Sequence, residues 1–361
     1  MYESLTVHGF RAFSSFDLPN LSRVNLFVGK NNSGKTSLLD AIEIASGGGR
    51  ISSLLKSPRR RGEVFSEHAE ERPRLELDVR HLFFRHRIEE GGGFEIVART
   101  NSSEYAVRCT VRRGEPSQPE LDLAGEQSEL IPSFALVMTG PENVSGEPVL
   151  PLSSNGVLDY RRGNVGLALQ GIATNIAFLG TDGPDPNALQ QIWDRLVLTP
   201  EEEKVISAMR IIEPTIERLA FVSGGVRAIS VAFVKLSGEG ERVPLGSLGD
   251  GTRRLLALAI YMARAAGGIL LIDEVDTGLH YTAMESMWRF VIESARRLDV
   301  QVFATSHSGD CVRALAWLQT DEPELAAEVS VHRIDRSATA AVRYSAQDIE
   351  VAARHHIEVR G

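Results

Sequence analysis

The sequence predicts an α/β fold with a mixed sheet and an antiparallel β lobe, and three observations predict it. Val24–Val28 is a short, mostly apolar run. The glycine-rich stretch Gly29-Lys30-Asn31-Asn32-Ser33-Gly34-Lys35-Thr36 follows, then Leu38, Leu39, Ile42 and Ala45 at helical spacing, which reads as strand, turn and helix. Gly268-Ile269-Leu270-Leu271-Ile272-Asp273-Glu274 is a continuous apolar run closed by two carboxylates, as expected of a buried parallel strand with chemistry at its carboxyl end. Between these, the β-type runs 75–84, 94–99, 105–112 and 134–138 are separated by turn-forming residues, so they should pair antiparallel.

Composition sets the bounds. With 361 residues, 43% of them hydrophobic and 24% charged, the chain can hold one large or two modest domains around a real core. No apolar run reaches the ~18 residues a membrane span needs, and the start Met1-Tyr2-Glu3-Ser4 lacks a signal-peptide layout. Cys109 and Cys311 have no metal-ligand spacing and read as packed thiols in a reducing compartment, so a cytoplasmic protein is expected. A net charge of −9 argues against coating nucleic acid by bulk electrostatics. The basic run Lys56-Ser57-Pro58-Arg59-Arg60-Arg61 reads first as a solvated or partner-facing loop and second as a contact to a nucleic-acid phosphate backbone.

In chain order, strands are expected at 5–10 and near 16–18, then the strand–turn–helix unit, a loop over 50–74 and the β lobe. Residues 141–183 are turn-rich, with one strand at Ile176–Leu179. Thr199-Pro200-Glu201-Glu202 offers an N-cap, a first-turn proline and an acidic first turn, followed by Val205, Ile206, Met209 and Ile212 on one helix face. Strands at Ile216–Val222, 227–235 and 241–244 precede a helix beginning near Arg253. After the second acidic strand, the stripe Met284, Met287, Trp288 and Val291 marks a helix over 281–298 that faces the core. Strands at 300–305, 328–334 and 341–344 and a helix at 346–355 complete the chain. The expected division is an N-terminal half over 1–140, a mainly helical insertion over 141–215 for dimerisation or partner docking, and a C-terminal half over 216–361.

The chemistry concentrates in two places. The stretch 29–36 fits G-x-x-x-x-G-K-[ST], the Walker A pattern. Backbone N–H groups of such a turn and the helix start behind it favour phosphate, so Gly29, Asn31, Asn32, Ser33, Gly34, Lys35, Thr36 and the adjoining Ser37 are candidate ATP contacts. Lys35 would reach the β/γ-phosphates and Thr36 would ligate Mg²⁺. Only five lysines occur in the chain, and two, Lys30 and Lys35, lie in this loop. Asp273 is the second candidate Mg²⁺ ligand, and Glu274 is placed to orient or deprotonate an attacking water.

Further motifs carry a family resemblance. Leu248-Gly249-Asp250-Gly251-Thr252 before the Arg253 helix resembles the signature of ABC-type ATPases, with Gly249 where that family has serine and Thr252 where it has glutamine. The resemblance makes Gly249, Asp250 and Gly251 phosphate contacts, with Ser247 as a substitute hydroxyl. Asp276-Thr277-Gly278-Leu279-His280 resembles the D-loop, and His307, past the next strand, resembles the switch histidine that senses the γ-phosphate. The opening strand with Phe10-Arg11-Ala12-Phe13 is similar to RecF/SMC-class heads and makes Arg11 a nucleotide-contact candidate; Gln170 is a candidate Q-loop residue.

Together with Ser247-Leu248-Gly249-Asp250-Gly251-Thr252-Arg253-Arg254, the chain resembles ATPases of the OLD (overcoming lysogenization defect) type. The residues after His307 are too few for that family's Toprim nuclease and contain no Asp-x-Asp, so the resemblance is to stand-alone subunits. It implies a P-loop NTPase with an ABC-type head and a helical insertion. It also implies a homodimer closed around MgATP, catalysis by Lys35, Glu274 and His307, and control of a separate effector, a nuclease or toxin, in anti-phage defence. The alternative is a RecF-like repair ATPase that contacts DNA directly. A transporter motor is disfavoured by the β lobe and the form of the signature.

Overall fold

A computed structural model of the chain describes residues 1–67, 74–113, 134–141, 149–152, 156–159, 175–223 and 230–355. Strand β1 (Tyr2–Phe10) turns through Arg11 and Ala12 into β2 (Phe13–Leu18), with Phe10 opposite Phe13. Leu5, Val7 and Phe10 of β1 point into the core while Glu3 and His8 are exposed, the alternation of a sheet with one covered face. In β3 (Val24–Val28) every residue is buried, as befits a central parallel strand. It leads into α1 (Lys35–Ser46), then α2 (Ile51–Arg60) and β4 (Val64–Glu67).

The expected loop over 50–74 is therefore corrected in its first part. Ile51, Leu54 and Leu55 bury one face of α2 at i, i+3, i+4 spacing. That stripe is short and interrupted by serines and cations, so it is weak in sequence; ion pairs to α1 anchor the helix. The run expected to stay extended over 75–84 is corrected as well. Strand β5 (Arg74–Asp78) stops where the Asp78 carboxylate accepts the Arg80 N–H, and two 3₁₀ turns, Val79–Leu82 and Phe84–His86, follow.

Strands β6 (Gly93–Thr100), β7 (Glu104–Arg113), β8 (Phe134–Thr139) and β9 (Val149–Leu152) join the first two in an antiparallel sheet of order β2-β1-β6-β7-β8-β9. This is the β lobe, and it recruits the N-terminal hairpin. Strand β10 (Val157–Asp159) pairs with β5, which also pairs with β4. Strand β11 (Ile176–Leu179) is followed by α3 (Pro186–Trp193), capped by the Asp185 side chain, and α4 (Pro200–Met209), capped by Thr199. The described part of the stretch expected to be mainly helical thus holds three short strands and two helices. Strands β9 and β11 are woven into the two large sheets, β9 beside the preceding β8 and β11 beside β15, far away in sequence.

An antiparallel trio, β12 (Ile216–Val222), β13 (Val231–Leu236) and β14 (Arg242–Pro244), leads to α5 (Asp250–Arg264). Then come β15 (Ile269–Ile272), α6 (Met284–Arg297), β16 (Gln301–Ser306), α7 (Gly309–Asp321), α8 (Pro323–Ala326), β17 (Val329–Arg333), β18 (Val342–Tyr344) and α9 (Ala346–Arg354). The second large sheet has the order β11-β15-β16-β3-β17-β18 and is parallel throughout except for β18.

One core lies between the antiparallel sheet and α1, and a second lies between the parallel sheet and the helices α5, α6, α7 and α9. The Met284, Met287, Trp288 stripe belongs to the second core; the Trp288 indole N–H donates to the Cys311 carbonyl at 3.0 Å. Cys109 and Cys311 are both fully buried, and burial pushes both thiols well above their ordinary pKa, which keeps them protonated and inert. The fold places the carboxyl ends of β11, β15, β16 and β3 along one edge, where ligands of parallel sheets collect.

Candidate nucleotide site

The turn after β3 is shaped by two glycines. Gly29 (φ 157°) is extended, and a Cβ there would sit 2.5 Å from the Ile334 carbonyl oxygen and 2.7 Å from Ser33 Oγ. Gly34 is left-handed at φ 101°, and a Cβ there would lie 2.4 Å from Cζ of the buried Phe13 ring. Asn31 and Asn32 stand exposed at the tip, whereas Ser33 and Ser37 are buried. The buried Ser33 hydroxyl has no protein partner among the described residues, a polar atom left over in a backbone cradle. Lys35 Nζ donates to the Gly29 carbonyl at 2.7 Å and to the Lys30 carbonyl at 2.8 Å, so the ammonium is held inside the loop.

The adjoining carboxylates arrive from β15. The Thr36 hydroxyl donates to both Asp273 carboxylate oxygens at 3.1 Å, and the Thr305 hydroxyl donates to Asp273 Oδ1 at 2.6 Å. Glu274 has a left-handed backbone, φ 50°, with its N–H donating to Thr305 Oγ1 at 2.8 Å. Its carboxylate accepts from the Thr277 hydroxyl at 3.3 Å and lies 3.3 Å from His307 Nδ1. Lys35, Thr36, Asp273, Glu274 and His307 therefore share one edge, although they come from 29–36, 269–277 and 301–307. This is a P-loop NTPase fold.

Thr36 and Asp273 supply the hard oxygen donors that suit Mg²⁺, and the glycine cradle with its spare hydroxyl suits a phosphate. The residues present fit MgATP.

The signature-like stretch packs against the loop that follows Glu274. Gly249 precedes α5 with φ 90° and ψ 168°, a conformation that essentially only glycine adopts. Backbone conformation and not crowding calls for glycine here, since nothing lies near its Cβ position. Ser247, Gly249 and Asp250 are exposed, and Gly251 packs on the D-loop, where a Cβ would be 3.0 Å from the Gly278 carbonyl oxygen. The Thr252 hydroxyl turns back to the Leu248 carbonyl.

Arg11, expected as a nucleotide contact, is engaged by protein groups. Its guanidinium donates to Glu63 at 2.7 and 3.1 Å and to Ser57 Oγ at 2.6 Å, with Nε 3.1 Å from the buried Asp40 carboxylate. Cations of the basic run also pair with carboxylates of α1. Arg60 donates to Asp40 at 2.9 Å and Glu43 at 2.8 Å and lies 3.4 Å over the Phe178 ring, while Arg61 donates to Asp40 at 2.9 Å. These cations neutralise two carboxylates buried on α1 and thereby brace the helix behind the glycine-rich turn, while Arg59, Arg60 and Arg61 keep solvent exposure. Gln170 lies outside the described residues.

Three contributors escaped sequence reasoning. Thr305 and Thr277 are short polar residues at strand and loop ends, whose importance comes only from Asp273 and Glu274 beside them. Arg254 carried a signal, a cation within the apolar face of the α5 helix. It is buried, and its NH1 donates to the Gly180 carbonyl at 2.6 Å, its NH2 to those of Asp273 and Glu274, both at 2.8 Å. Burial lowers its pKa, opposed by the charges of Asp276, Asp273 and Glu274.

Two family models match the chain. Residues 1–74 match "AAA ATPase domain", and residues 181–310 match "AAA domain, putative AbiEii toxin, Type IV TA system". The first match contains the phosphate loop; the second contains α5, Asp273, Glu274 and His307. The chain is related to the P-loop ATPases these models describe. An "ATP/GTP phosphatase" of Helicobacter pylori (strain ATCC 700392 / 26695) is 21% identical over 346 residues, covering 87% of each chain.

Among solved structures, an SMC head domain from Thermotoga maritima is 16% identical, with 95% of this chain and 99% of that one covered and a TM-score of 0.44. The Smc head domain with an extended coiled coil, bound to the C-terminal domain of ScpA derived from Pyrococcus furiosus, is 12% identical with 99% of both covered and a TM-score of 0.47. No helix of the described residues is long and apolar enough to cross a membrane.

Proposed function

We propose that this chain binds and hydrolyses ATP, closes as a homodimer around the nucleotide, and through that cycle controls a separate effector protein in a toxin or anti-phage system. The observation that carries the catalytic part is the convergence of Thr36, Asp273, Thr305, Glu274 and His307 at the carboxyl edge of the parallel sheet. The "ATP/GTP phosphatase" description of the relative supports nucleotide hydrolysis, and the toxin-system description of the matched model supports an effector.

In this reading the cradle of 29–36 binds the phosphates through its backbone N–H groups, and Lys35 exchanges its two carbonyl partners for β/γ-phosphate oxygens. Mg²⁺ would be held by Thr36 and Asp273, and when bound it neutralises charge developing on the β- and γ-phosphates. Glu274, held between Thr277 and His307, orients the attacking water and accepts its proton. The exposed 249–251 helix start contacts the γ-phosphate of a second protomer, so the shared nucleotide closes the dimer and its hydrolysis opens it.

The test is phosphate release from ATP by the purified chain and by Glu274→Gln. Turnover should fall by roughly 10²–10⁴-fold in the variant, with ATP affinity kept within a few fold. Equal rates in both proteins would remove Glu274 from its role, and no turnover in the parent would overturn the ATPase reading.

A further inference from the structure

We infer that Arg254 is a positioning residue, coupling the signature-like helix start to the catalytic carboxylate of the same chain. This rests on the ATPase reading of the site and adds to it a route of control.

Helix α5 has two ends of action. At its start, Gly249 has no side-chain cap to offer, and Asp250 and Arg253 of the first turn are exposed while Thr252 is buried. One turn further, about 6 Å along the axis at 1.5 Å per residue, Arg254 is buried. Its fork grips three main-chain carbonyls, Gly180 just past β11 and Asp273 and Glu274 just past β15.

The grip matters because Glu274 sits at φ 50°. A left-handed non-glycine residue is strained by about 1–3 kcal/mol and persists only where its surroundings over-determine it. Three hydrogen bonds hold the Glu274 main chain: its N–H donates to Thr305 Oγ1, and its carbonyl accepts from Arg254 at 2.8 Å and from the Thr277 N–H at 3.1 Å. That local geometry aims the carboxylate at Thr277 and His307. The α5 start is also wedged against Gly278 of the following loop, so the helix cannot shift without disturbing both contacts.

A purely structural role explains the arrangement poorly. A buried guanidinium bonded to carbonyls, with Nε lacking a partner among the described residues, is dearer than an apolar side chain of similar volume. What arginine supplies is a rigid fork that ties three backbone positions together, which the single ammonium of lysine reproduces only in part.

Contact between the 249–251 helix start and a nucleotide held by another protomer would thus be transmitted as a rigid-body displacement to the water-activating carboxylate in the same chain. The test compares the parent with Arg254→Met and Arg254→Lys for turnover, KM, ATP affinity, ATP-induced dimerisation by light scattering and thermal melting. Arg254→Met should bind ATP within about three-fold and still dimerise, while turnover falls on the order of 10²-fold, as expected when a reacting group is misplaced by about 1 Å. Arg254→Lys should recover part of that loss. In the parent, turnover per chain should rise with protein concentration as dimers form, and in Arg254→Met that rise should vanish.

Unchanged turnover in both variants would overturn the inference. So would turnover, affinity and melting temperature falling in step, because that pattern is structural. If Arg254→Met does not fold, Arg254→Lys decides alone by its split between turnover and affinity. A parent without turnover sinks the ATPase reading, whereas an active parent with indifferent variants sinks only the role of Arg254.

Discussion

Gly34 is where backbone and packing demand the same residue. Its φ of 101° is strained for any L side chain, and an added Cβ would meet the Phe13 ring, which is itself stacked 4.5 Å from Phe16 between centroids. The predicted result of Gly34→Ala is a stability loss of about 1–3 kcal/mol by thermal or urea melting. ATP affinity should fall at least ten-fold by titration, because the cradle widens where phosphate sits. A variant with parental melting and affinity would show that the left-handed turn is dispensable. Gly249 is the contrasting case: it is required by backbone conformation alone, in open space, and its substitution should disturb the α5 start without disturbing the core.

At the scale of elements, the strand beneath the phosphate loop depends on a buried histidine. His332 of β17 lies against β3, with Nε2 2.9 Å from Ser330 Oγ and its ring edge-on to Phe27. Ser330 donates its hydroxyl to Asn25, so Nε2 carries the imidazole proton and Nδ1 is bare, with no partner among the described residues. A proton on Nδ1 would be a buried charge, and burial, helped by Arg343, pushes the pKa down to about 3 from the ordinary 6.5.

Between those two values the unfolded chain takes up a proton that the folded chain refuses. The contribution of this residue to stability is therefore full above about pH 6.5 and declines as pH falls toward 3. Urea melts of the parent and of His332→Gln at pH 7 and pH 5 should show a loss smaller by about 2 kcal/mol in the variant. Equal losses would mean that His332 is not the sensitive group.

The whole molecule is proposed to act as one jaw of a nucleotide-gated pair, with the 1–140, 141–215 and 216–361 division as its working parts. The phosphate cradle and the 249–251 start belong to different elements of one chain, and the proposal makes them reciprocal contacts across a two-fold dimer. Since dimerisation and ATP binding would share the same contacts, each should strengthen the other by the same factor. Glu274→Gln with ATP should double in mass by light scattering, while the same protein with ADP should not. A constant mass in both nucleotides would leave the 249–251 surface without its assigned partner.

The sequence by itself determined the phosphate loop, the acidic strand end and the histidine after β16. Each is a local pattern in which residue order and strand or helix periodicity enforce the geometry. It likewise determined the buried β3 and β15 and the Met/Trp core stripe, because burial on both faces of a strand leaves a continuous apolar run and burial of one helix stripe leaves a periodic one. Tertiary structure alone decided the partners of long polar side chains. Arg11, Arg60 and Arg61 look like solvent or phosphate groups in sequence, yet they neutralise Asp40 and Glu43 on the phosphate-loop helix. Thr305 and Arg254 gain their roles only when distant strands are laid side by side in the order β11-β15-β16-β3. A flexible cation can reach many acceptors, and which one it finds depends on elements brought beside it by the fold; a glycine's φ or an apolar run is imposed by the chain next to it.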